Sequence, residues 1–276
     1  KQRIFADIVS QNQVIVLTPL DKYLILHPNF VMTITKFMDY QYNVEVRKVA
    51  ASVLLSLSCS QPEKLTIHLS NSSQVMDIFV KGLVGTIDRS NTDYAIRSTI
   101  IELLKSNVTS YCPDLSHWLC GFNTPNITGS SAQFNCLDVI CDSVKQSFDA
   151  LSWTPDRNHD TFIAQCVDLI KCLCHDRRVS IATFNILEQY NLFTSQETIF
   201  ILSEGFLNVL HNTEMDEEQR EFTYSHLITM QGFILEILSF KLFIQTQRSA
   251  ESRAYTSVSQ DAVNQLINIL FSNDPV

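Results

Sequence analysis

The feature that most constrains this chain is an apolar stripe that recurs along it. Val46, Val49, Ala50, Val53, Leu54 and Leu57 fall at i, i+3, i+4, i+7, i+8 and i+11, a spacing that gathers them on one side of an α-helix. Leu137, Ile140, Cys141, Val144 and Phe148 repeat the pattern, as do Phe162, Cys166, Leu169, Ile170 and Leu173. No stretch sustains the period-two alternation of a half-buried strand. With only 6 Gly and 7 Pro in 276 residues, the chain also lacks the turn residues that an all-β fold needs at each reversal.

Punctuation residues divide the helical runs. Ile4 to Leu17 and Phe30 to Phe37 read as two helices set apart by Pro19 and Pro28. Ser60-Gln61-Pro62-Glu63 has the form of a capped helix start, with Ser60 as the cap and Glu63 reaching back. Val75 to Val84 reads as a short helix ending near Gly85, and Asn91 or Thr92 opens the next. In that next helix Tyr94, Ile96, Ile100, Ile101, Leu103, Leu104 and Val108 form a face too broad for one neighbour, which predicts packing on two sides. Thr194 to Glu197 is a second capping box, and Val263 to Phe271 carries a final stripe. Residues 123–133, with Pro125 and Gly129, read as a surface loop, and 212–219 as a charged link between helices.

Leu227 to Ile244 is the run most easily mistaken for a membrane span. Gln231, Glu236 and Lys241 interrupt it, and each central charge would cost roughly 2.5–3.5 kcal/mol on insertion. A buried helix is the expected state, with no membrane span.

The expectation is therefore an all-α chain of roughly a dozen helices, arranged as an irregular superhelical α-solenoid of stacked antiparallel pairs, HEAT/armadillo-like. It is read as one segment over 1–276, and the opening Lys1 suggests a piece of a longer chain. A closed helical bundle is the alternative.

Charge narrows the partners. The formal net charge is −9, from 29 acidic and 20 basic residues without a Lys/Arg cluster. Phosphate backbones require concentrated positive charge, so direct nucleic-acid binding is not expected. Of the eight cysteines, Cys59, Cys141, Cys166 and Cys172 fall in apolar helical contexts, which fits free thiols in a reducing compartment better than a disulfide framework. Sequons begin at Asn71, Asn107 and Asn126 and are read as chance matches.

Three clusters invite chemistry. Cys172-Leu173-Cys174-His175 resembles a metal motif, yet residues two apart on a helix diverge by about 200° and cannot face one ion. Cys112, His117 and Cys120, with Asp114 nearby, suggest a thiol nucleophile and a base. No glycine-rich or strand-turn-helix setting accompanies them, and packing of Trp118 with Leu115 and Leu119 is the plainer use of the segment. Asp176-Arg177-Arg178 closes a helix, where arginines complement the dipole or meet a partner. The expectation is no catalytic residue, no cofactor and no metal site. An enzyme using Cys112 or Cys120, and a soluble armadillo/HEAT transport or trafficking adaptor that binds peptides in a concave groove, remain the competing readings.

The segment Pro113-Asp114-Leu115-Ser116-His117-Trp118-Leu119-Cys120-Gly121-Phe122, a polar loop, and then Cys136-Leu137-Asp138-Val139-Ile140 resembles the signature of the giant inner-ring scaffold nucleoporins. Cys174 to Ser180, with Phe193-Thr194-Ser195 following, is similar to the matching part of the smaller of the two paralogues in that family. Gln231 to Phe243, Arg248, Arg253 and the Leu266 to Phe271 helix resemble the family's Leu-rich helix, linker and terminal helix. Asp138 stands where the family usually has His, and Trp118 and Cys120 replace Leu-type residues. The resemblance implies a structural part of the nuclear pore complex at the nuclear envelope. Its implied partners are other nucleoporins, especially inner-ring adaptors that supply short helical motifs, with weak contact to transport receptors. No Phe is followed by Gly, so the chain is not a Phe-Gly repeat nucleoporin.

Overall fold

A computed structural model describes residues 20–70, 72–84, 91–110, 112–123, 135–149, 156–193 and 216–251. These contain eleven helices: α1 (Leu20–Ile25), α2 (Pro28–Phe37), α3 (Val44–Ser60), α4 (Pro62–Ser70), α5 (Ser73–Val84), α6 (Asn91–Val108), α7 (Asp114–Leu119), α8 (Cys136–Asp149), α9 (Arg157–His175), α10 (Ser180–Gln189) and α11 (Glu217–Glu251). Among the described residues there is no strand, so the all-α expectation holds. The expected helices at 4–17, after Thr194 and at the C-terminal stripe lie outside the described residues, as does nearly all of the 123–133 loop. Of the charged link at 212–219, Asp216 precedes α11 and Glu217 to Gln219 form its first turn.

The helices begin where an Asn or Asp side chain can satisfy free backbone amides. Asn43 Oδ1 accepts from the Val46 amide at 3.2 Å. Asp156 Oδ1 accepts from Asn158 at 3.0 Å and His159 at 3.4 Å, and Asp216 Oδ1 from Gln219 at 2.7 Å. Each such cap contributes about 1 kcal/mol. The Ser60 cap is not made. Ser60 lies in the last turn of α3 and turns its hydroxyl back to the Leu57 carbonyl, while the Leu65 amide bonds to the Gln61 carbonyl. Pro28 starts α2, since its missing N–H has no partner to lose in a first turn.

The four longest helices stack in chain order: α3 packs on α6, α6 on α9, and α9 on α11. Shorter helices fill a second row. α2 lies on α3 and α4, α5 on α6 and α8, α7 on α6 and α4, and α10 on α9. Such neighbour-to-neighbour packing is how a solenoid buries faces that no single helix pair can cover. The two-sided packing expected of α6 is realised between α3 and α9, where Ile96, Ile100, Ile101, Leu103 and Leu104 are at most 1% exposed.

α11 is buried along one side only. Thr223, Leu227, Met230, Ile234 and Ile237 are inside, spaced alternately four and three apart, the seam of two helices running side by side. Ile228 and Phe243 on its other sides remain exposed, so the helix is less enclosed than its apolar run suggests. By length and composition Glu217–Ile244 could cross a membrane. In the fold its interrupting charges are paired: Glu236 lies 3.7 Å from Lys171 of α9, and Lys241 lies 3.0 Å from Glu188 of α10.

Candidate functional site

The segment richest in Cys, His, Asp and Trp is a junction where α6, α7, α8, α9 and α10 meet. α7 ends in a Schellman turn: the Phe122 amide donates to the His117 carbonyl and the Gly121 amide to the Trp118 carbonyl, both at 2.9 Å. Gly121 takes φ +82°, and a Cβ there would sit 2.5 Å from Asn135 Nδ2. Glycine is required twice over, for the left-handed turn and for the close approach of Asn135.

Asn135 in turn opens α8. Its Oδ1 accepts from the Leu137 and Asp138 amides at 2.9 and 3.1 Å, and Asp138 Oδ2 reaches back to the Asn135 amide at 3.2 Å. This is a reciprocal capping box built from Asn and Asp. Asp138 Oδ1 also accepts the Tyr190 hydroxyl at 3.1 Å, tying α8 to the end of α10. Asp138 therefore has a local structural use at both contacts.

α7 is clasped to α6 by Ser116, whose hydroxyl donates to the Leu104 carbonyl at 2.8 Å and whose amide donates to Asn107 Oδ1 at 3.0 Å. Asn107 is fully buried, so its sequon offers no accessible acceptor. His117 is 3% exposed, and its Nε2 lies 2.9 Å from Asp176 Oδ2 at the end of α9. Asp176 Oδ1 accepts the Arg178 amide at 3.0 Å, and Arg178 lies 3.7 Å from Asp114 at the start of α7. Burial pushes the His117 imidazole below its usual range despite the Asp176 carboxylate beside it.

The imidazole thus faces a carboxylate that holds a helix junction. Cys120 and Cys136 are fully buried, and burial lifts the Cys120 thiol to about 12 and Cys136 well above its ordinary value. Cys112, partly exposed, is raised by the same cause. Thiols held in this way carry little thiolate at neutral pH. Cys174 is buried whereas Cys172 is only partly so, and among the described residues no group of three His, Cys, Asp or Glu side chains is placed to hold an ion. Trp118, Leu115 and Leu119 are buried together in the core.

A charged seam runs along the stack beside this junction. Asp168 of α9 sits 2.9 Å from both Lys105 of α6 and Lys171 of α9. Lys171 leans over the Phe233 ring at 4.0 Å, and His175 stacks on Phe240 at 4.6 Å between ring centres. Burial alone would raise the Asp168 carboxyl, but the two lysines hold it below its usual value.

The described surface also carries an open groove of about 330 Å³ between α2 and α3. Ile34 and Phe37 form one wall, and Val46, Val49, Ala50 and Val53 the other. Here the stripe read from the sequence divides. Ala50, Leu54 and Leu57 are buried, whereas Val49 is 60% exposed. Periodicity located the stripe, but it could not tell which of its edges a neighbour covers.

Comparison with known families supplies the context for a stack of this kind. The family model described as "Nuclear pore complex scaffold, nucleoporins 186/192/205" matches residues 16–274, which include every described helix. No curated protein and no solved structure matches the chain. The match names nucleoporins 186, 192 and 205, and does not extend to nucleoporin 188, the smaller paralogue that Cys174 to Ser180 resembles. With the match running across almost the whole chain, the protein belongs to the nuclear pore complex scaffold family of nucleoporins 186/192/205, and its place is the nuclear pore complex at the nuclear envelope.

Proposed function

We propose that this chain is a structural segment of the inner ring of the nuclear pore complex, without catalytic activity, and that it receives short amphipathic helices from adaptor nucleoporins between its stacked helices. The observation that best supports this reading is the in-order stacking of α3, α6, α9 and α11. Successive helices of a solenoid leave a series of grooves with fixed spacing, each suited to the apolar edge of a partner helix. A superhelical path would spread those grooves along the ring, and the same surfaces would admit weak contact with transport receptors in support of transport.

Within the family, we infer a closer relation to the branch named by the matching description than to nucleoporin 188. The likeness at Cys174 to Ser180 favours the latter, but it covers a helix end whose Asp176 serves packing here.

The test is co-precipitation of the tagged protein from nuclear-envelope extract at moderate salt, followed by direct binding of purified adaptor segments to the protein. Recovery of inner-ring nucleoporins, with saturable binding of an adaptor helix, is expected. If no inner-ring nucleoporin is recovered, the scaffold reading falls. Recovery of a cargo peptide complex alone would favour a soluble transport adaptor.

A further inference from the structure

Exposed apolar side chains are not spread evenly over this protein. Of the thirteen large ones that stand exposed among the described residues, seven lie between Tyr23 and Val49, and a concentration of that kind marks a contact surface. Its concave part is the groove between α2 and α3. A stack end that meets water carries a polar outer face, whereas this one sets Ile34 and Phe37 of α2 opposite Val46, Val49 and Val53 of α3. α2 has 10 residues, about 15 Å of helix. The groove therefore accommodates two to three turns of a partner helix with apolar anchors at i, i+3, i+4 and i+7.

The charge at one end of the groove selects among partners. Among the described residues Glu45 is the one charged residue of its lining. It is exposed and makes no ion pair there, whereas Asp39, in the turn between the two helices, is answered by Lys81 at 3.3 Å. Lys36 and Lys48 are also exposed, but each adjoins a lining residue in sequence and so stands about 100° round its helix from it. The same turn sets three rings in a corner. Phe37 and Tyr40 lie 6.1 Å apart at 83°, Tyr40 and Tyr42 lie 5.6 Å apart at 63°, and Tyr42 is 90% exposed. Open ring faces and an unpaired carboxylate both attract a cation. A second copy of the chain would bring the same carboxylate and the same net charge of −9 to this groove, and is disfavoured by like-charge repulsion.

We propose that the α2–α3 groove binds a short amphipathic helix from a basic partner segment, with the apolar edge of that helix between Ile34 and Val49 and an arginine beside the edge placed at Glu45 and the rings of the turn. The proposal rests on the scaffold reading given above and adds to it the class of helix that this groove takes.

The experiment measures fluorescence anisotropy of three labelled helical peptides of about 18 residues against the full protein. They share one leucine stripe at i, i+3, i+4 and i+7 and differ only in the residue flanking its end, which is Arg, Gln or Glu. The Arg peptide is expected to bind saturably and about tenfold more tightly than the Glu peptide, with the Gln peptide between them. Glu45→Lys is expected to reverse that order, and Tyr42→Ala to narrow the gap between the Arg and Gln peptides. Val49→Asp, at a position 60% exposed, is expected to remove binding of all three while far-UV circular dichroism stays unchanged. If Val49→Asp unfolds the protein, the order seen with Glu45→Lys still decides. Absence of saturable binding, equal affinities for the Arg and Glu peptides, or an order that survives Glu45→Lys overturns the proposal, as does binding that a folded Val49→Asp protein retains. None of these outcomes bears on the scaffold reading, which stands or falls on recovery of inner-ring nucleoporins.

Discussion

His117 and Asp176, 59 residues apart in sequence, meet at 2.9 Å between imidazole Nε2 and carboxylate Oδ2, and their contact joins α7 to the end of α9. Because burial lowers the imidazole's proton affinity more than Asp176 raises it, the folded state favours neutral His117. The unfolded state then binds more protons, so stability is fully present above the usual histidine value of 6.5 and is lost as pH falls through the lower folded value. Asp114 and Arg178 also face the pair. Thermal unfolding at pH 7 and pH 5 should show a fall in Tm for the natural protein, and a distinctly smaller fall for His117→Gln. Equal falls in the two proteins would remove His117 as the cause.

The cysteines divide by burial. Cys59 is exposed, whereas Cys120, Cys136, Cys141, Cys166 and Cys174 are buried, with their thiols raised by desolvation. Brief alkylation of the native protein at neutral pH, read by peptide mass spectrometry, should modify Cys59 first and leave these five unlabelled until denaturant is added. Fast labelling of Cys120 would revive the thiol-enzyme reading.

Two glycines give opposite predictions for the same change. Gly121→Ala places a Cβ at φ +82° and 2.5 Å from Asn135 Nδ2, and should cost about 1–3 kcal/mol. Gly232 lies inside α11, with nothing within 4 Å of an added Cβ, and Gly232→Ala should stabilise by about 0.5–1 kcal/mol. Denaturant midpoints of the two variants, compared with the natural protein, provide the measurement. A shift of the same sign in both would contradict the turn assignment at Gly121.

Asp168 bridges Lys105 and Lys171 at 2.9 Å each. Asp168→Asn removes the nearest carboxylate of both ammonium groups, leaving Lys105 with Glu102 at 3.8 Å and Lys171 with Glu236 at 3.7 Å, and should cost about 1 kcal/mol. Since the carboxyl is held below its usual value, its contribution is present above about pH 4 and disappears as pH falls further. The difference between variant and natural protein should therefore shrink in urea melts at acid pH. A difference that persists unchanged there would mean that packing, and not charge, is what the substitution disturbs.

The interior was readable wherever a helix uses one edge. Tyr94 to Val108 showed by its breadth that two neighbours would cover it, and α3 and α9 do so. Leu227 to Ile244 was harder to read. Its apolar residues encircle the helix, while its buried seam follows a narrower repeat from Thr223 to Ile237. The starting cap at Ser60 failed because the preceding helix α3 runs through Ser60 itself, so its hydroxyl turns back to the Leu57 carbonyl and does not face the amides of α4.

What the amino-acid sequence by itself determined is the class: helices, their approximate extents and the absence of strand alternation. These follow from spacing along the chain, which local backbone geometry turns directly into faces. Tertiary structure alone decided the rest. It chose Asp176 as the partner of His117, assigned Asp138 to both the α8 cap and Tyr190, and left Val49 exposed while its stripe-mate Leu54 is fully buried. Pairings of this kind depend on which distant helices become neighbours, and a helix's periodicity specifies a face without specifying what lies against it.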